Sequence, residues 1–408
     1  MNIVALDTGK FKTVACMYNS DTGQERMATI ATTPQALCDL LAGESPDRVV
    51  LEISPLAGWM GDLVRGMDIE LQVANVAGEA WKFKNLKSKS DQKDARKLAV
   101  LSVIGELPLV YLPQKRVRQW RSLIGYRKML VESGGSIKSR MRALLCEQGM
   151  GHAGGKKGWT EAGVAVLRRE ARALSECGAE DLWRGQLALE LARLESLEGQ
   201  IRQVEEKLET LASEDDRVRR VRTIPGVGPR LAETIVALLA DAGRFKTRQQ
   251  VASYAGLAPR RHQSGESDPQ LGISRQGPKL LRSLLVQVGW IAQRYNPQAR
   301  EWFAGACKSS ASRRKIAVVA VARKLLVLAW VLLRDERDYE VRATPPAEQD
   351  GDEGRSTGEG VPEADRGMAR PGRGWNNKEG RQNRSGALPP NPRDLALSAP
   401  PVGMLEEA

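Results

Sequence analysis

Two short apolar runs, Ile3-Val4-Ala5-Leu6 and Val49-Val50-Leu51, each end on a carboxylate, Asp7 and Glu52 respectively. Runs this short and this apolar predict buried strands, not helices. Thr13 to Met17 follows a Gly-Lys turn and is placed to pair with the first run as a hairpin. Ile69 to Val73 predicts a further strand, after a helical stretch from Trp59 to Met67. Strand, helix and strand in alternation predict an α/β layer domain over residues 1–112.

Beyond Pro113 the pattern turns helical. A basic helix over 115–142 runs into a Gly-rich turn from Gly149 to Gly158. From Leu187 the spacing is heptad-like, with Leu187, Leu194, Ile201 and Leu208 at one position and Leu197, Val204 and Leu211 at the other. Such a segment forms a helical hairpin or a short coiled coil, and periodicity does not say whether it pairs within one chain or between two. Residues 113–216 are expected to hold these two features and 217–342 a mainly α C-terminal domain, with helices to about residue 335. From Ala343 to Ala408 Pro, Gly, Ser and mixed charge replace apolar periodicity, which predicts a disordered tail.

Charge narrows the partner. The chain of 408 residues carries a net charge of +12. The excess lies before Ala343, the tail being acidic on balance. A polyanion is the natural partner, and nucleic acid outranks a membrane surface. The longest apolar stretch, Leu325 to Leu333, is too short to span a bilayer, and the first apolar run stops at Asp7, too early for a signal peptide. Five cysteines without a CxxC pair and two histidines offer neither a zinc site nor a disulfide framework. These features predict a soluble protein of a reducing cytoplasm.

Four acids carry the candidate chemistry: Asp7, Glu52, Asp91 and Asp94. Asp91 and Asp94 lie in Ser90-Asp91-Gln92-Lys93-Asp94-Ala95-Arg96, which reads as a helix, and their spacing puts them on one face. Taken singly each acid has an ordinary explanation, Asp7 as a turn residue and Asp91 as a first-turn acid favoured by the helix dipole. Together, two strand-end carboxylates and a helical pair form an oxygen-only set suited to Mg²⁺ and phosphodiester chemistry.

Nucleic-acid contacts are expected from the basic helix, foremost Lys115, Arg116, Arg121 and Arg127, with Trp120 and Tyr126 interleaved. The bland alternative is a solvated helix face with its aromatics in the core. Ile224-Pro225-Gly226-Val227-Gly228-Pro229 opens an apolar helix and resembles a helix-hairpin-helix element, whose free N–H groups at Gly226 and Gly228 suit a phosphate.

With these residues in view, the chain resembles the DEDD-type transposases of the family typified by insertion sequence 110, over roughly residues 1–340. The N-terminal motifs are Leu6-Asp7-Thr8-Gly9-Lys10, Leu51-Glu52 and Lys89-Ser90-Asp91-Gln92-Lys93-Asp94-Ala95-Arg96. The C-terminal ones are Ile224 to Gly228, Ala255 to Arg260, Ser264-Gly265, Ile273-Ser274-Arg275-Gln276-Gly277 with Leu281-Arg282, and Ala322 to Leu325. The resemblance implies a RuvC-like, RNase H-like DEDD catalytic domain at 1–112 and a transposase domain at 217–342.

It also implies roles that spacing alone does not supply. Ser274 becomes the nucleophile that joins covalently to DNA; without the resemblance it reads as an N-cap for the helix beginning near Lys279. Arg275 and Lys279 are placed to hold the phosphate. The resemblance further implies donor and target DNA, a structured non-coding guide RNA, and a homodimer or homotetramer in which one protomer's acids meet another's serine. The heptad segment suits protomer association and the basic helix suits RNA. Where the family has Ala-Thr-Gly-x-Tyr after the glutamate, this chain has Ile53-Ser54-Pro55-Leu56-Ala57-Gly58-Trp59. Two rival readings are a metal-dependent Holliday-junction resolvase-like nuclease without a covalent intermediate, and a non-catalytic nucleic-acid scaffold.

Overall fold

A computed structural model of the chain describes residues 1–75, 90–151, 154–260 and 271–340. The anticipated strands form: β1 (Asn2–Thr8), β2 (Lys12–Asn19), β4 (Arg48–Glu52) and β5 (Glu70–Ala74), joined by β3 (Glu25–Ala31). They make one mixed sheet in the order β3-β2-β1-β4-β5. β1, β2 and β3 are an antiparallel meander, while β1, β4 and β5 run parallel. The hairpin closes with Thr8 opposite Thr13. β3 was not anticipated: it is a sheet edge with no fully buried residue, so its sequence lacks the apolar run that marks β1 and β4.

Helices cover both faces of the sheet, which is why β1 and β4 read as unbroken apolar runs. On one face α1 (Pro34–Glu44) and α2 (Ala57–Gly66) pack over Val4, Leu6, Val49 and Leu51. On the other, α3 (Asp91–Val103) sets Ala95, Leu98 and Ala99 against Ile3, Ala5 and Val50. α3 runs against the parallel strands. Near its C-terminus, Ser102 Oγ donates to Gln72 Oε1 at 2.8 Å and accepts from Arg48 at 3.2 Å, towards the amino ends of β5 and β4.

The next layer is helical. α4 (Lys115–Glu147) is followed by α5 (Glu161–Glu170) and then α6 (Leu182–Ser213). The heptad leucines of α6 pair within the chain: Leu187, Leu194 and Leu197 bury against Leu130, Ile137, Met141 and Leu145. This corrects the assignment of the heptad segment to protomer association, because its apolar seam is occupied by α4.

The C-terminal core surrounds α8 (Pro229–Leu239), which follows α7 (Asp216–Arg222) across the Ile224–Gly228 turn. α9 (Arg248–Tyr254), α10 (Lys279–Tyr295), α11 (Pro297–Cys307) and α12 (Arg314–Arg334) complete it. α12, with the turn before it, is long and apolar enough to cross a membrane, unlike the shorter run seen in sequence. It is a core helix here, with Val321, Leu325, Leu326 and Trp330 buried in the same cluster as α8. Met1–Arg342 forms one compact unit, in which Trp120 and Ile124 of α4 belong to the C-terminal core. The tail expectation lies outside the described residues.

Candidate active site

The parallel register places Leu6 beside Leu51, so Asp7 and Glu52, one residue further, end neighbouring strands. By strand alternation Asp7 shares a face with Ile3 and Ala5, and Glu52 with Val50, which is the face covered by α3. Because α3 is antiparallel to these strands, its N-terminus lies at their carboxyl ends. Ser90 caps it, accepting from the Lys93 N–H at 3.4 Å. Asp91 and Asp94 extend the buried stripe Ala95-Leu98-Ala99 one turn beyond the sheet, where the helix dipole favours carboxylates. Asp7 and Glu52 thus form one corner of the sheet, and Asp91 and Asp94 stand on the first turn of the helix that covers that face.

Their side chains are not drawn into one ligand group: among the described residues, no three carboxylate, imidazole or thiol groups stand close enough to hold a metal ion. The donor chemistry nevertheless fits a hard divalent cation, being oxygen-only and half-buried at Asp7, Glu52 and Asp94. Lys97, one turn beyond Asp94, has its ammonium pKa lowered by burial, with Asp94 opposing that shift.

Ser274 sits in a different kind of structure. Ile273 bridges Pro259, Ser274 N–H donates to Ala258 O at 2.9 Å, and Arg275 N–H donates to Gly256 O at 3.1 Å. Arg282 of α10 ties the loop from below, its guanidinium donating to Ala255 O at 3.1 Å and Gln276 O at 3.3 Å. Two glycines make this possible. Gly256 has φ +68° and a Cβ there would lie 1.9 Å from Gln276 O; Gly277 has φ +83° and a Cβ would lie 2.0 Å from Tyr254 O. Arg275 itself holds φ +57°, a strained value for a residue with a Cβ. α10 is capped by Pro278, so the capping explanation of Ser274 fails. Lys279 is the first residue of α10 and is exposed. The motif residues were visible in sequence; that Gly256, Gly277 and Arg282 lock one loop was not.

The loop and the acid corner approach a common residue. A cavity of about 390 Å³ lies between Ile53, Ser54 and Pro55, just after Glu52, and Arg244 and Tyr254. Tyr254 is also the residue whose carbonyl backs Gly277. Arg244 is stacked on Tyr111, Phe245 and Tyr254 at 4.9, 4.2 and 4.7 Å, which fixes this junction.

The basic helix is largely committed inside the molecule, against expectation. Arg121 donates to Ala237 O at 2.7 Å and Leu238 O at 2.9 Å, satisfying the last carbonyls of α8, and burial lowers its pKa. Arg127 donates to Glu205 of α6 at 2.7 Å, and Arg140 is paired with Glu190 at 2.9 Å. Trp120 is core, while Tyr126 is exposed. Arg121 is therefore corrected to a structural role, and Arg127 to an interhelical ion pair. Lys115 and Arg116 are exposed, Arg116 lying 3.7 Å from Glu214. At the Gly turn, Gly226 (φ +91°) packs against Ala292, a Cβ coming within 3.1 Å of its Cα, whereas Gly228 is exposed at the start of α8. The expected Ser264-Gly265 motif, Lys89 and His262 lie outside the described residues.

An α/β domain with acids at its strand ends, joined to a helical region bearing a locked serine loop, has clear counterparts. A model of DEDD transposases matches residues 4–148, and one of the transposase IS116/IS110/IS902 family matches residues 218–304, together more than half of the chain. The chain is 29% identical over 260 residues to a transposase for insertion sequence element IS1111A of Coxiella burnetii, covering 63% of this chain and 70% of that protein. It is 29% identical over 214 residues to a transposase for insertion sequence element IS1328 of Yersinia enterocolitica, covering 50% and 60%. A pilin gene-inverting protein of Moraxella lacunata is 33% identical over 127 residues, 31% of this chain and 39% of that protein. The protein is a DNA transposase/recombinase. It belongs to the DEDD transposases of the IS110 family, and that membership implies use of a divalent metal ion.

Proposed function

We propose that this enzyme cuts and rejoins the DNA strands of an insertion sequence through a covalent bond between Ser274 and DNA. The observation that carries this reading is the serine loop: a hydroxyl not spent on a helix cap, beside a strained Arg275, in a backbone locked by Gly256, Gly277 and Arg282. Strain kept at one polar residue is a mark of a functional site. In the first step the Ser274 Oγ–phosphorus bond forms as one backbone P–O bond of the DNA breaks. The serine proton is lost and the departing sugar oxygen gains one. In the second step another DNA hydroxyl displaces the serine, so the phosphodiester energy is conserved without hydrolysis. Arg275 and Lys279 hold the phosphate, and Gly228 and the exposed Lys115 and Arg116 contact nucleic acid backbones.

The N-terminal domain is RNase H-like in this reading, supported by the sheet order and by acids at the carboxyl ends of β1 and β4. Asp7, Glu52, Asp91 and Asp94 would hold Mg²⁺, which when bound supplies positive charge to the reacting phosphate. The same reading includes donor and target DNA, an element-encoded structured RNA, and a homodimer or homotetramer acting in the bacterial cytoplasm. Incubating the protein with its element's ends and digesting the DNA tests it: a nucleotide-bearing peptide containing Ser274 is expected. Cleavage by wild type without a protein-linked product, or cleavage by Ser274→Ala, would instead identify a hydrolytic resolvase-like nuclease. Sequencing the RNA that co-purifies with the protein tests the guide.

A further inference from the structure

Four cations gather in one place. Arg248 of α9, Arg323 and Lys324 of α12 and Arg337 beyond it line a cleft of about 810 Å³, with a single carboxylate, Glu340, on its wall. Arg248, Arg323 and Lys324 make no ion pair among the described residues, in contrast to Arg127, Lys138 and Arg140 of α4. Two aromatic side chains, Trp302 and Tyr339, line the same cleft, and the Lys324 ammonium lies 5.1 Å from the Trp302 ring centre. The size suits one or two small organic groups. Cations beside aromatic faces are what an unpaired nucleotide requires, a phosphate for the first and a base for the second.

The cleft also has a direction. Ala258 and Pro259 form part of its wall. These residues pair with the serine strand, Ala258 O accepting from Ser274 N–H and Pro259 bridging Ile273. A nucleotide in the cleft is thus separated from the serine strand by one backbone thickness.

We propose that this cleft binds an unpaired nucleotide of the DNA strand that flanks the bond attacked by Ser274. It rests on the serine reading above for the choice of DNA over RNA and for the bond that the nucleotide flanks. Duplex DNA keeps its bases stacked and offers none to Trp302, so the site selects a strand that has been opened.

The test uses the full chain and three labelled probes: a short single-stranded DNA, the same sequence as RNA, and a blunt duplex. The single-stranded DNA is expected to bind tightest. Trp302→Ala should weaken it by about ten-fold, and Trp302→Phe should restore most of that loss, which a merely misfolded variant would not allow. Removing Arg248 and Arg323 together should reduce the log–log salt slope by about 0.7 for each lost phosphate contact. An unchanged affinity and salt slope in the arginine variant, with the serine–DNA product still formed, overturns the cleft and leaves the serine reading standing. Tighter binding of RNA than DNA overturns the choice of strand. Cleft-dependent DNA binding in a wild-type protein that never forms the serine product supports the cleft and removes the serine reading.

Discussion

Asp7, Glu52, Asp91 and Asp94 hang from two strand ends and the first turn of one helix, whereas Ser274 hangs from a loop fixed by two positive-φ glycines and one arginine. The first arrangement follows from periodicity. Strand register sets Asp7 beside Glu52, and the first turn of α3 carries Asp91 and Asp94. In the second, backbone approaches are so close that a methyl group cannot be admitted. Removing a side chain should therefore harm only chemistry at the acid corner, while adding one should harm structure at the serine loop.

The strongest test of that difference is activity without loss of fold. Ser274→Ala and Asp7→Asn are each expected to lower strand cleavage by on the order of 10³-fold or more, as removing one member of a catalytic set does. Melting temperature should move by no more than about 1–2 °C, equivalent to about 1 kcal/mol in a unit of this size. Severe unfolding of Asp7→Asn would show that the acid corner is structural.

Gly256→Ala should behave in the opposite way. It forces a Cβ against Gln276 O and N at a positive φ, so a loss of about 3 kcal/mol is expected in chemical denaturation. A near-neutral result would mean the loop is loose and Ser274 is not held.

A smaller effect is expected on the basic helix that joins the two regions. Arg121→Ala should cost about 2 kcal/mol by stripping two α8 carbonyls of a charged donor, while the exposed Arg116→Ala should change stability by less than about 0.5 kcal/mol. Equal effects on stability would return Arg121 to the nucleic-acid surface.

The last expected change is a gain. Glu233 of α8 is 1% exposed, reaches Arg230 at 3.4 Å and leaves Oε2 without a partner among the described residues. Burial raises its pKa above the ordinary 4.5, with Arg230 opposing. A raised folded pKa means its contribution is favourable below pH 4.5 and is lost as pH climbs through the raised value. Glu233→Gln should thus be more stable than wild type by about 1 kcal/mol near neutral pH, with the gain vanishing at acid pH. Thermal melts at both pH values decide this; a loss at neutral pH would make the Arg230 pair net stabilising.

Much of this was legible in the order of residues, for reasons tied to local physics. Ile3–Leu6 and Val49–Leu51 announced buried strands because both sheet faces are covered, and the stretch from Ser90 to Arg96 announced a helix. β3 was silent because an edge strand need not be apolar. The Arg-rich stretch from Lys115 misled, since a count of charges does not say which carboxylates will stand opposite.

By itself the sequence determined four of the five strands, the helical acid pair, the serine motif and the net positive charge, all of which depend on near neighbours and alternation. Tertiary structure alone decided that the heptad leucines close on α4 within the chain, and that Arg121 caps α8 while Arg248, Arg323 and Lys324 make no ion pair among the described residues around a cleft beside the serine strand. Pairing is a property of distance in space, and residues as far apart as Arg121 and Ala237 acquire it only when packing fixes which surfaces meet.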